Sequence, residues 1–407
     1  MQRVTELDLP YLAIQDPSFA VDPMPQFEAA RRRHPWLAKS DFGYVVHEYQ
    51  AIRELTWMDD KFNPSLDAVI EIMGAAHTPW GKFMLDLMLA KDPPEHTRLR
   101  NSVAASFTPR TANRLRPLMR KVVSSLLDEW VPKGRFDFAE FASHFPVRVM
   151  FGLIGASTEA LPGIRKALET QGLSASLDKS LMPALEEAYR DLWAFVDKLV
   201  IERQRDGGGD EDEVLNRLLA SRKAGDLDDA ELRNMLIFLF AAGYDTSKNM
   251  LTLIMHVMLR YPDYWQRCAE DRAFCDKIVE EVFRYHSVSN IYRSAREDIH
   301  YRDVVIPAGT ILMLTLTVAS RDPSAFPAAD EFDPERKGPN RHMAFGRGIH
   351  ICLGQHVARA QIQEGLHLIA PRLRNPRLAG QVTWRPFPGV WGIRSLPIEF
   401  TPGFGAP

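Results

Sequence analysis

Cysteine is scarce: the chain of 407 residues holds three, Cys268, Cys275 and Cys352. So few thiols cannot build a disulfide scaffold, which fits a reducing compartment and leaves a thiol free for chemistry. No stretch approaches the roughly 18 uninterrupted apolar residues of a membrane span, and Met1 to Pro10 has no apolar run of leader length. A soluble, cytoplasmic protein without membrane or nucleic-acid partners is therefore expected. Repeats and long low-complexity tracts are missing too. The nearest thing to a linker, Asp206 to Glu213 with its three glycines, reads as one mobile surface loop, and residues 1–407 are expected to form a single domain. Acidic residues are absent between Arg98 and Lys121, where seven basic ones stand. That run should create a local positive field, either as a solvated helix face or as a docking surface.

What is present is ordinary in bulk, with 45% hydrophobic and 25% charged residues, and composition alone names no function. The patterning is mainly helical, as over Pro183 to Arg205, Glu213 to Lys223 and Cys275 to Tyr285. Strand signals are few. The clearest is Ile299 to Leu316, read as a hairpin about a Pro307-Ala308-Gly309 turn. The longest helix is expected over Ala230 to Tyr261, opened by Asp228 with Glu231 three residues on and closed before Pro262. At about 1.5 Å per residue it would run on the order of 48 Å. Its first half, Met235 to Ala242, is apolar on every side and so reads as buried.

The sharpest local signal is Phe345-Gly346-Arg347-Gly348-Ile349-His350-Ile351-Cys352-Leu353-Gly354, a glycine-rich loop entering a helix expected over Leu353 to Leu368. Helix-end N–H groups and the positive end of the dipole favour thiolate over thiol, so the Cys352 pKa is expected to fall. The glycines let the backbone approach a flat cofactor. A cysteine is usually a small buried hydrophobe. A zinc site would need further thiols or histidines nearby, and a dinucleotide fingerprint would need a preceding strand in a βαβ unit. Neither fits.

Four other segments carry weaker signals. Glu281 and Arg284 stand three apart on one helix face. In Ala242-Gly243-Tyr244-Asp245-Thr246, Gly243 costs a helix about 1 kcal/mol, and Thr246 can turn its hydroxyl to the Ala242 carbonyl and open the helix locally. In Asp92 to Arg100, His96 and Arg100 lie four apart on one face. The last is Gly392 to Phe400, which resembles the final strand pair of the family named below, with Leu396-Pro397 at its turn.

The cysteine loop resembles that of the cytochrome P-450 superfamily, in its soluble bacterial branch, and the other segments agree in the family's order. The resemblance implies a mainly α fold: a triangular helical domain with small β-sheets, and heme buried between the long central helix and the cysteine-loop helix. It implies heme b (iron protoporphyrin IX) with Cys352 as axial ligand. Ala242, Gly243, Phe345, Gly346 and Gly354 would lie against the heme, and His96, Arg100, Arg293 and His350 would donate to its propionates. Glu281, Arg284 and Arg336 would form a buried structural network. Asp245 and Thr246 would be the catalytic relay, with Asp245 on the solvent side and Thr246 towards the iron. Ser247 and Lys248 replace the family's frequent second threonine.

The implied activity is monooxygenation, with hydroxylation of a small to medium hydrophobic organic substrate by O2. Its electrons would come from an iron-sulfur ferredoxin, with its reductase, docking on the basic face around Arg110, Arg114, Arg116 and Arg120. Substrate contacts are expected near Ile72 to Met88, Ile237 to Ala241, Val288 to Ile291 and Val390-Trp391. The alternatives are a peroxide-driven peroxygenase, in which an arginine often replaces the acid-alcohol pair, and a non-catalytic heme sensor or electron carrier, which needs no proton path.

Overall fold

The computed structural model describes residues 1–338 and 341–403. Its axis is the central helix Asp229–Met258, buried along most of its length. The Asp228 carboxylate accepts from the Glu231 N–H at 2.7 Å, and the Glu231 carboxylate accepts from the Asp228 N–H at 2.9 Å. This reciprocal cap satisfies two otherwise orphaned donors and starts the helix where the spacing predicted. The helix stops three residues before Tyr261, and Pro262 opens the next, Pro262–Glu270.

Three helices packed on this axis shape the site. Phe138–Ile154, capped by Asp137, is buried on most faces and keeps only the stripe Glu140, His144, Arg148 and Gly152 towards the outside. It crosses the central helix where Phe151 meets Phe240, with ring centroids 5.1 Å apart. Leu161–Gln171 lies across the central helix and beside Met182–Asp206. Gln355–Arg372 follows the cysteine loop and also packs along Pro109–Trp130. Gly365 lets it approach Phe138–Ile154 as well, because a Cβ on it would sit 2.8 Å from the Phe145 ring.

The largest sheet has five strands in the order Leu37–Ser40, Gly43–Val46, Ile311–Leu314, Ile291–Ala295 and Phe62–Asn63, with one parallel pair, Gly43–Val46 on Ile311–Leu314. It places Arg293 at the edge of the core opposite Leu312. Two strand expectations are corrected. The hairpin joins Ile299–Tyr301 to Val304–Ile306 and turns at Arg302-Asp303, where Arg302 takes φ 53° and pairs with Glu48 at 2.6 Å. The Pro307–Gly309 turn instead sends the chain into the five-stranded sheet. Likewise Ile393–Ser395 pairs with Thr383–Trp384, whereas Pro397–Pro402 pairs with Leu373–Leu378 and Arg135–Asp137. The Leu396-Pro397 bend therefore joins two sheets. Among the described residues no helix is long and apolar enough to cross a membrane.

The loop Asp206 to Glu213 is tied down at several points. Arg114 holds Asp212, and Arg203 holds Glu213 at 2.7 Å and the Gly155 carbonyl at 2.7 Å.

Candidate active site

The cysteine loop is held by its own backbone. The Cys352 N–H donates to the Phe345 carbonyl at 2.9 Å, and the Ile349 N–H donates to the Asp59 carboxylate at 3.2 Å. Gly346 and Gly348 take φ of +66° and +74°. At Gly348 the lack of a side chain is also a packing demand, since a Cβ would stand 2.6 Å from the Thr56 carbonyl oxygen. Helix Gln355–Arg372 begins two residues later than the pattern predicted, with Gly354 at its cap. Contrary to expectation, burial pushes the Cys352 thiol pKa above its usual value, while the Gly354 N–H and the charges of Arg100 and Arg359 pull it down. The helix-end contribution is present, but in this apolar pocket desolvation outweighs it. A thiolate here calls for a bound cation, and a metal-coordinating thiol is deprotonated outright.

Above Cys352 lies a cavity whose walls include ten of the residues singled out from sequence: Arg100, Ala242, Gly243, Thr246, Arg293, Phe345, Gly346, His350, Cys352 and Gly354. His96 stands just behind, its ring edge-on to His350 with centroids 4.6 Å apart. Asp245 is outside. The apolar walls come from Met88, Leu89, Phe238, Leu239, Met250, Val288 and Ile291. Of the expected substrate segments, Val390-Trp391 and all of Ile72 to Met88 except Met88 do not line it; the Trp391 indole N–H donates instead to the Ala20 carbonyl at 2.9 Å.

On the central helix the Thr246 hydroxyl donates to the Ala242 carbonyl at 2.8 Å, as the spacing predicted. Gly243 has a packing reason of its own, because a Cβ would stand 2.4 Å from the Met150 sulfur of the crossing helix. Asp245 does not face solvent. Its side chain is 3% exposed and forms an ion pair with the equally buried Arg385. The Asn249 amide also donates to it, at 3.2 Å. The i,i+4 spacing of Asp245 and Asn249 was legible in the sequence; nothing local marks Arg385.

The rim carries a surplus of buried and half-buried donors. Arg293 donates only to the Tyr292 carbonyl and Arg100 only to that of Ile351, and neither has an acidic partner among the described residues. The His96 Nε2 and His350 Nδ1 atoms are buried without a hydrogen-bond partner among the described residues. Burial and the neighbouring Arg293, His96 and Arg100 charges depress the His350 pKa to about 3.

The family profile described as Cytochrome P450 matches residues 166–374. A luteothin monooxygenase of Streptomyces thioluteus is 32% identical over 398 residues, covering 97% of this chain and 96% of that protein. The chain is a cytochrome P450. PikC, a cytochrome P450 monooxygenase of Streptomyces venezuelae, is 29% identical over 401 residues, covering 95% of this chain and 92% of its own. The crystal structure of P450BioI with an acyl carrier protein superimposes with a TM-score of 0.85 at 26% identity, over 94% of this chain and all of that one. The mainly α fold expected from sequence is thus the fold of the family, and the protein is a P450 monooxygenase that uses heme.

This P450 meets the chemical demands of that cofactor. A flat dianion needs cationic donors at one edge and a soft ligand beneath, and the orphaned rim donors and Cys352 answer both needs. Behind the loop, Arg284 grips Glu281 through two bonds of 2.7 and 2.9 Å and also donates to the carbonyls of Ser320, Ala329 and Glu331. Arg336 stands 3.6 Å from Glu281 and holds the carbonyls of Pro327, Ala328 and Glu331.

The basic run is less free than its count implied. Arg98 is paired with Glu231 and Arg114 with Asp212, while Arg116 and Arg120 meet the fully buried Glu364. Arg272 joins them there, so three cations surround one anion on the helix that follows Cys352.

Proposed function

We propose that this P450, as a single domain spanning 1–407, binds heme b in the cytoplasm and hydroxylates a small to medium hydrophobic substrate with O2 and electrons from an iron-sulfur ferredoxin. The observation that carries this reading is one cavity bounded by the Cys352 loop below, the Thr246 face of the central helix above, and a rim whose Arg100 and Arg293 make no ion pair among the described residues. Cys352 would supply the thiolate that holds the iron. His96, Arg100, Arg293 and His350 would receive the propionates, and Ala242, Gly243, Phe345, Gly346 and Gly354 would lie against the ring. When bound, thiolate-ligated heme supplies the electron-rich iron that favours O–O cleavage.

The chain's own residues bind the substrate, exclude water and hold protons. Apolar walls retain an uncharged substrate by burial, worth about 25 cal/mol per Å². Thr246 is fixed by the Ala242 carbonyl at the cavity face, and Asp245, next to it in sequence, supplies the acid of the relay. For the ferredoxin, the arginine surplus around Glu364 supports docking beside the cysteine-loop helix, where opposite charge speeds encounter. The persistence of the acid-alcohol pair favours monooxygenation over peroxide-driven or sensory roles.

The test is the absorption spectrum of the reduced, carbon monoxide-bound protein. A thiolate-type band that disappears in Cys352→Ser is expected, and an unchanged band in that variant would overturn the assignment. Thr246→Ala should divert electrons from product to peroxide, whereas normal coupling would refute the relay.

A further inference from the structure

The relay proposed above contains an acid that the structure holds in a place the sequence did not anticipate. Asp245 and Arg385 are 3% and 7% exposed and face each other directly. The second arm of the same guanidinium donates to the Gly172 carbonyl at 2.8 Å. Gly172, just past helix Leu161–Gln171, makes room for this, because a Cβ there would stand 2.5 Å from the Asp245 carboxylate carbon. One arginine thus bridges the central helix and the segment after a neighbouring helix. Asn249 anchors one Asp245 oxygen, and the other, Oδ2, has no partner among the described residues.

The loop that bears Arg385 is not isolated from the cavity. Val390 forms a bridge with Ser289, and the Trp391 N–H donates to the Val288 carbonyl at 2.7 Å; Val288 and Ser289 are both cavity wall. On its other side Gly389, at φ +83°, presses against Ala175, where a Cβ would lie 2.8 Å from the backbone. The same few residues therefore touch the substrate wall, the segment 172–176 and the acid of the relay.

We propose that Arg385 is a positioning residue for proton delivery, holding Asp245 in register with Thr246 only while the loop 385–391 and the segment 172–176 are docked against each other. Proton supply is thereby tied to the closed state of the cavity wall. This rests on the Asp245–Thr246 relay reading. A guanidinium suits the task because its two arms reach a carboxylate and a carbonyl at once, whereas an ammonium holds a point contact.

The test compares heme-loaded R385M, R385K, D245N and R385M/D245N for product formed per electron consumed, for the solvent deuterium isotope effect on that ratio, and for backbone hydrogen exchange over residues 168–176. R385M should lower product per electron about tenfold, a part of the roughly 10²–10⁴ that a positioned acid supplies. It should also speed exchange at 172–176. R385K should be intermediate in coupling and isotope effect, and the double variant no worse than D245N alone. Wild-type coupling in R385M with D245N impaired would overturn the positioning role while leaving the relay intact. Unimpaired D245N would overturn both. Additive losses in the double variant would show Arg385 acting elsewhere. Should R385M not fold, R385K decides: intermediate values support the proposal, and wild-type coupling with a wild-type isotope effect overturns it.

Discussion

Two arginine clusters, one around the buried Arg284 and one around the buried Arg293 with the half-buried Arg100, are built on opposite principles. Around Arg284 every guanidinium nitrogen is used, with Glu281 and three backbone carbonyls closing the set. Around Arg100 and Arg293 each guanidinium makes a single bond to a carbonyl, and two imidazole nitrogens beside them are orphaned. Burying charge without a partner is expensive. The first cluster meets that cost from within the chain and stiffens the fold; the second leaves it open, which makes sense only for an anion brought from outside. A saturated network marks structure, and an unsaturated one marks a binding site.

Substitutions sharpen the contrast. Arg284→Ala should remove about 3–5 kcal/mol of stability in urea titrations, because the buried Glu281 loses both close guanidinium bonds and keeps only the Asp333 N–H and Arg336 at 3.6 Å. A loss below about 1 kcal/mol, the scale of an exposed pair, would break the comparison. Arg293→Leu should behave differently. Heme retention should weaken by about 1.5–3 kcal/mol, the worth of a charge-assisted hydrogen bond, while the heme-free chain should unfold at the same or a higher urea concentration. Equal destabilisation of the heme-free chain would place Arg293 with Arg284.

Histidine extends the same logic with a smaller effect. His47 and His256 are held neutral by burial, each with its pKa depressed from 6.5 to about 4; the neighbouring Arg31 adds to the effect at His47 and Arg260 at His256. Their folded pKa values lie below the unfolded ones, so their contribution is fully present above pH 6.5. It is lost as pH falls towards 4, since the unfolded chain takes up the protons first. Each should cost about 1.4 kcal/mol per pH unit across that window. Urea midpoints at pH 7 and pH 5 measure this, and His256→Gln should flatten the slope; an unchanged slope would count against it.

Local order was legible wherever neighbours in sequence set it. The Asp228–Glu231 cap, the all-apolar turns of the central helix and the Thr246 bond to the Ala242 carbonyl each involve residues within four positions. The glycines of the cysteine loop were legible because positive φ narrows the choice of residue. Strand partners were not. Alternation marks a strand but not its mate, and the strand pair that the resemblance implied about Leu396-Pro397 proves to be two strands in different sheets. The basic run misled for the same reason: Arg98 finds its acid 133 residues away and Arg116 finds Glu364 at a separation of 248.

The amino-acid order by itself therefore determined the helices, the thiolate loop, the family and the chemistry that the family carries, because these are written in short spacings and in residue types that few roles can use. Tertiary structure alone decided which charges are saturated, that Cys352 sits where burial opposes its ionisation, and that Asp245 turns inward to Arg385 rather than out to water. Those outcomes depend on desolvation and on partners brought together from distant parts of the chain, and neither is a property of any local stretch.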